Sequence, residues 1–220
     1  NYGSSLNQER QTSPHAHFIQ VTDDNRFVLV ADLGMDKILI FQFDSITGSL
    51  KPNDPAFINL DPGSGPRHFA FSKSGKVLYV LNELTSTITV FDFDPTSSSQ
   101  IKQTISTLPQ NFEGANTAAE ILVDSKGKFL YASNRGDDSI VQFSIDPISG
   151  MLTPIKWVSS GGNAPRYFEI NPTGKWLFSA NQKSDNIFLF KIDQENGLLI
   201  STNQSLNIKS PVCTNFTSQN

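Results

Sequence analysis

A single cysteine, Cys213, stands in 220 residues, so no intrachain disulfide framework forms, and a lone thiol fits a reducing compartment. That points to a cytoplasmic location. Methionine and tryptophan number two each, and no run of about 18 apolar residues occurs, so nothing in the sequence reads as a membrane-spanning helix. The chain opens on Asn1 with neither an initiating Met nor an apolar leader, which reads as an internal start with the true N-terminus unseen. Excess positive charge is also missing. A net charge of −4 excludes a nucleic-acid binder built on phosphate neutralisation, yet leaves room for a local basic pocket. No Gly-x-Ser-x-Gly elbow, Walker loop or dinucleotide fingerprint appears, and no segment sustains a 3.6-residue period.

What the sequence does have is phenylalanine, 17 of them, set among valine and isoleucine in short runs that suit strands. It also has a repeat. The stretch Arg67 to Asn82 has relatives at His17 to Asp32, Ala119 to Asn134 and Arg166 to Asn181, with spacings of 50, 52 and 47 residues between their last positions. These exceed the period of about 40–45 of a WD40 repeat, whose Gly-His and Trp-Asp signatures are absent. Each unit opens with a short apolar strand and a tight turn, where Asn25, Gly75, Gly127 or Gly174 supplies the positive φ. A second strand, such as Val77 to Leu81, is apolar throughout and therefore buried on both faces. A third strand and a more polar fourth complete the unit.

Four strands per unit, buried inside and polar outside, describe a blade of an all-β propeller. The units span about 14–65, 66–117, 118–164 and 165–210, with 211–216 as a closing strand, so that 1–220 is one partial propeller domain. Asn1 to Gln11 reads as the tail of an earlier unit. The closing strand calls for a partner blade begun elsewhere, so the chain is expected to be the C-terminal part of a larger ring. A closed four-bladed ring is geometrically open but leaves that strand unpaired.

Comparing the units separates scaffold from site. The columns Asp32/Asn82/Asn134/Asn181 and Asp36/Ser86/Asp138/Asp185 are filled alike, which assigns them to turn architecture and backbone capping. Other columns vary: His17/Arg67/Ala119/Arg166, then Phe18/His68/Glu120/Tyr167, and after the Asn column Leu33/Glu83/Arg135/Gln182. They place His, Arg and Glu at one end of a channel, a set suited to a carboxylate or phosphate ligand with a group to move a proton. Strand alternation sends only one of each adjacent pair toward the axis, so His17 and its neighbour, or Arg67 and His68, are not both ligands from strand position alone. Arg135 has a bland alternative, pairing with Asp137 or Asp138, and Glu83 another, as a solvated loop acid. An unpaired Glu120 beside an apolar strand is costly and harder to explain away. His15 shares strand spacing with His17. These two nitrogens lack a third ligand at metal spacing, so no metal and no cofactor is expected. Cys213 reads as a small core residue.

The strings Pro14-His15-Ala16-His17, Gly63-Ser64-Gly65-Pro66-Arg67-His68, Asn116-Thr117-Ala118-Ala119-Glu120-Ile121, Ser133-Asn134-Arg135-Gly136 and Pro165-Arg166 resemble the lactonase family of seven-bladed propellers. Leu81-Asn82-Glu83-Leu84 and Ser210-Pro211-Val212-Cys213 resemble it too, and the similarity runs from about Tyr2 to Phe216. The family includes 6-phosphogluconolactonases and 3-carboxymuconate lactonizing enzymes. The resemblance implies a seven-bladed, metal-independent ring from which about three N-terminal blades are missing here. It implies catalytic roles for His17, Arg67, Glu120 and Arg166, with His15, His68, Glu83, Asn116, Arg135 and Gln182 around a small anionic substrate. Lactone hydrolysis is expected, with the arginines on the anionic group and oxyanion and Glu120 or a histidine activating water. A lactonizing cyclase, and a non-catalytic propeller that binds a ligand or a protein, stand as alternatives.

Overall fold

The computed structural model describes residues 3–217. It is all-β: sixteen strands and, among the described residues, no helix. They form four four-stranded antiparallel sheets, each with its strands side by side in chain order. The first blade holds β1 (Ala16–Val21), β2 (Phe27–Asp32), β3 (Lys37–Asp44) and β4 (Ser49–Asn59). The second holds β5 (Pro66–Phe71), β6 (Val77–Asn82), β7 (Thr87–Asp92) and β8 (Gln100–Ser106). The third holds β9 (Thr117–Val123), β10 (Phe129–Arg135), β11 (Ser139–Ile145) and β12 (Leu152–Ser159). The fourth holds β13 (Pro165–Ile170), β14 (Trp176–Asn181), β15 (Asn186–Ile192) and β16 (Leu199–Asn207).

The local chemistry explains the blades. Asn25, Gly75, Gly127 and Gly174 adopt φ of 58°, 70°, 71° and 70° at the first hairpin of each blade, the left-handed conformation that turn requires. Second strands are buried along most of their length, as their largely apolar sequence demands. The capping column does its work twice over. Asp36, Ser86, Asp138 and Asp185 all take φ near +50° (53°, 53°, 52°, 55°). The Asp36, Asp138 and Asp185 carbonyls accept the amides of Leu60, Ser160 and Ile208, where each fourth strand leaves its sheet. Their carboxylates accept amides further along, in the loop toward the next blade: Gly63 and Gly65 for Asp36, Ala164 for Asp138, and Ser210 for Asp185.

The chain divides into two compact units, residues 1–105 and 106–220, with two blades in each. In the first unit, Phe27, Leu29, Leu78, Phe91 and Phe93 form one buried cluster, against which Phe18 and Phe71 pack. In the second unit, Tyr131, Phe168, Leu177, Phe190 and Leu199 form another.

Two expectations need correction. Residues 211–217 form no strand, because no neighbouring strand edge is offered to them among the described residues; Phe216 instead packs edge-on against Phe178, ring centres 5.1 Å apart. Without that strand Cys213 is exposed, so it is not a core residue. In the N-terminal tail, Asn1 and Tyr2 lie outside the described residues. The rest of it is a built turn, closed by the Ser5 amide on the Gln11 carbonyl at 2.9 Å.

Candidate functional site

The first strand of every blade carries an irregularity where the variable column falls. Pairing jumps between Ala16 and Phe18 in β1, Pro66 and His68 in β5, and Pro165 and Tyr167 in β13, leaving His17, Arg67 and Arg166 as the inserted residues. In β9 the jump falls at Ala119 and Glu120, between the partners of Asn134 and Ala132. A bulge breaks the alternation of sides and re-aims the inserted side chain. Through the bulge of β5, the neighbours Arg67 and His68 both come near His17, which strict alternation would not allow.

In the first unit the bulges gather six polar groups. The His17 and His68 rings lie 5.2 Å apart, His15 and His17 6.0 Å, and His68 stacks on Phe18 at 4.6 Å. Arg67 is buried, and its Nε lies 2.8 Å from Oε2 of Glu83, although the N–H direction falls short of a linear hydrogen bond. Arg10, from the N-terminal turn, donates through Nη2 to Oε1 of Glu83 at 2.6 Å. Glu83 is thus a buried carboxylate between two guanidinium groups, not a solvated loop acid. Burial, and then the Arg67 charge, hold the His17 imidazole down to about 3, with Glu83 opposing. At neutral pH His17 is an uncharged ring, and its buried Nδ1 has no hydrogen-bond partner among the described residues.

In the second unit a cleft of about 480 Å³ is lined by Asn116, Arg135, Asp138, Arg166, Gln182 and Lys183, among others. Four residues anticipated from sequence therefore share one cavity. They are not equivalent. The Asn116 amide is engaged at both ends, donating to Oδ1 of Asn134 and accepting from the Asp137 amide. Arg135 donates to the Ala118 carbonyl at 3.2 Å. Asp138, the acidic residue of the lining, is occupied by the Ala164 amide and the Asn163 side chain. Arg166, Gln182 and Lys183 make no side-chain hydrogen bond or ion pair among the described residues.

Glu120 does not line that cleft. It is buried, with Oε1 accepting the Ile121 amide at 3.0 Å and its own amide donating to Oγ of Ser133. Its charge is felt by Tyr167 and Glu169, which occupy the same side of β13 two residues apart. The Tyr167 hydroxyl donates to Oε2 of Glu169 at 2.8 Å. Burial pushes Glu169 up, Glu120 pushes it further, and the Tyr167 hydrogen bond opposes both. Burial, and then Glu169, push the Tyr167 phenol up.

Arg10, Lys183 and Glu169 escape the sequence reading, whereas Tyr167 stands in one of its variable columns. Lys183 and Glu169 carry a signal, since they stand where the second blade has Leu84 and Ala70. Arg10 carries none, lying outside the repeat. Among the described residues no group of three or more His, Cys, Asp or Glu is arranged to hold a metal ion.

Comparison with known proteins places these features in a wider frame. The family described as Lactonase, 7-bladed beta-propeller, matches residues 1–216. An uncharacterised protein of Lactococcus lactis is 39% identical over 159 residues, 72% of this chain and 46% of its own length. The 6-phosphogluconolactonase of Bacillus subtilis is 35% identical over 161 residues, 73% of this chain and 45% of its own. The periplasmic gluconolactonase of Pseudomonas aeruginosa superposes with a TM-score of 0.91 at 32% identity, covering 99% of this chain and 61% of that one. The aligned part of this chain spans about half the length of the curated relatives it matches.

Proposed function

We propose that this chain, which belongs to the lactonase family of seven-bladed β-propellers, carries the anion-binding part of a lactone hydrolase whose substrate is a small anionic sugar lactone. The observation that carries this reading is the cleft of the second unit. Arg166 and Lys183 line it without forming an ion pair among the described residues, its one acid, Asp138, being held by the Ala164 amide and the Asn163 side chain, and the Gln182 amide beside them has no partner among the described residues. Cationic groups left without protein partners at a concave surface are suited to a carboxylate or phosphate, with the guanidinium able to bind two oxygens at once. The relatives named for gluconolactone and 6-phosphogluconolactone chemistry support the reaction class.

Hydrolysis joins a water oxygen to the lactone carbonyl carbon, gathers negative charge on the carbonyl oxygen, then breaks the ring C–O bond as the leaving oxygen takes a proton. The group that accepts the water's proton should have an affinity near the working pH. His17, held near 3, is too weak a base for that step and suits a neutral hydrogen-bonding role. Glu169, raised in proton affinity by burial and by the Glu120 charge, is better matched to that step. Arg67, with its charge fixed in place, suits an oxyanion.

The test uses the full-length polypeptide on 6-phosphogluconolactone and on unphosphorylated gluconolactone. Arg166→Gln and Lys183→Gln should each raise KM for the phosphorylated lactone by about 10- to 100-fold, the worth of one charge-assisted contact, and leave the neutral lactone unaffected. Wild-type levels of phosphorylated-substrate turnover in both variants, or no lactone turnover in the wild type, would remove this reading.

A further inference from the structure

Two arginines occupy the same inserted position in two blades, and the column that follows the Asn of the second strand differs between those blades. Arg166 has Gln182 at the neighbouring column and faces an open cleft. Arg67 has Glu83 there, and the pair is buried, with side chains only 3% and 4% exposed. The blade does not need the ion pair to fold, because the fourth blade forms around Arg and Gln. A buried ion pair is costly to desolvate and is weak evidence for a stabilising role. Something other than stability has to account for it.

The second guanidinium gives the direction. Arg10 comes from outside the repeat, on a turn that is pinned at several points. Asn7 Oδ1 accepts the amides of Glu9 and Arg10 at 3.0 Å each. Gln11 is fully buried and donates to the Leu33 carbonyl at 2.8 Å and to Oδ1 of Asp36 at 2.9 Å. The turn is thereby locked to the first blade's capping aspartate, and from it Arg10 reaches Oε1 of Glu83, leaving Oε2 for Arg67. A carboxylate held on one oxygen cannot swing, so the other oxygen presents a fixed charge to Nε of Arg67. Contact at Nε constrains the plane of the guanidinium and so the direction of its terminal fork.

We propose that Glu83, clamped by Arg10, is a positioning residue that orients Arg67 for charge stabilisation, a constraint that Arg166, with Gln182 in the equivalent place, lacks. The proposal rests on the lactonase reading for what Arg67 does, but the positioning itself is measurable without turnover.

The experiment takes full-length protein through Glu83→Gln, Arg10→Ala and Arg10→Lys. Glu83→Gln reproduces the residue that the fourth blade already accommodates, and the Arg10 variants carry the test should it fail to fold. Kinetics on the lactone that the wild type turns over should show kcat reduced by about 10-fold or more in Glu83→Gln and Arg10→Ala, with KM held within about 3-fold. Arg10→Lys should recover most of the loss. The NMR order parameter of the Arg67 Nε–H bond, from relaxation, should fall in Glu83→Gln and Arg10→Ala and return toward wild type in Arg10→Lys. Unchanged kcat in Glu83→Gln, or a change confined to KM, overturns the proposal. A wild type that hydrolyses no lactone sinks the functional reading alone; the relaxation measurement then decides the positioning, and an unchanged Nε–H order parameter in both variants refutes it.

Discussion

The carboxyl of Glu169 is the side chain whose ionisation works most plainly against the fold. Half-buried and facing the charge of Glu120, it holds its proton more tightly in the folded chain than in the unfolded one. A raised carboxylate favours the folded state only while protonated, so its contribution is present below its ordinary value of 4.5 and disappears as pH rises through the raised folded value. Glu169→Gln removes the charge and keeps an oxygen to accept the Tyr167 hydroxyl. The variant should melt about 1–3 °C above wild type at pH 7, and the two should converge near pH 4. Thermal melts at the two pH values check this, and a variant that melts lower at pH 7 contradicts it. Glu169 also marks where sequence reading stops. His17, Arg67 and Arg166 declare themselves because their column changes from blade to blade, which a scaffold does not require. Glu169 sits in a strand otherwise read as apolar; the repeat marks it only by contrast with Ala70, and its significance comes from Glu120 on a neighbouring strand of another blade. Glu83 shows the reverse failure: its column is conspicuous, but its partner Arg10 lies 73 positions away, outside any repeat.

Among the elements, the entry to each third strand governs how one blade hands the chain to the next. Asp36 holds φ at 53° and accepts hydrogen bonds from Gly63 at 2.7 Å, Gly65 at 2.6 Å and Gln11 at 2.9 Å. Asp36→Ala would leave three donors unpaired near a buried position and put a less tolerant residue in the left-handed region. The expected loss is about 3 kcal/mol in denaturant unfolding. Asp36→Asn tolerates the backbone and keeps one acceptor oxygen, so it should lose less than half of that. Equal losses in the two variants would mean that the carboxylate is not what holds the loop. This capping function was legible, since a column filled alike in every unit has to serve the unit. So were the turns, through their Asn and Gly, and the second strands, through unbroken apolarity. The bulges were not. An inserted residue changes no composition and no period in a six-residue strand, and only the cross-strand register exposes it. The same limit applies to residues 211–217, where an apolar and polar mixture suits a strand but a strand needs an edge to pair with.

At the level of the whole molecule, the repeat turns one exposed surface into a prediction. Phe69 and Phe71 project from β5 toward the first blade, where Phe69 packs edge-on against Phe18 and Phe71 lies against the first unit's core. Phe168, in the same position of the fourth blade, is fully buried. Ile19 and Val21 hold the corresponding places on β1, yet they are 61% and 38% exposed. Successive blades bury this flank, so a blade preceding β1, as the seven-bladed family requires, would cover Ile19 as the first blade covers Phe69. Ile19→Asp then has opposite consequences in two polypeptides. In the 220-residue chain expressed alone it should leave stability unchanged to within about 0.5 kcal/mol, as at any exposed site, and reduce binding of a hydrophobic dye. In the full ring it should cost about 3 kcal/mol, because a charge would be buried against an apolar neighbour with no partner. Denaturant unfolding of both polypeptides, each with and without the substitution, separates the cases. A full-length protein indifferent to Ile19→Asp would mean that this flank of β1 faces solvent and that no blade packs there.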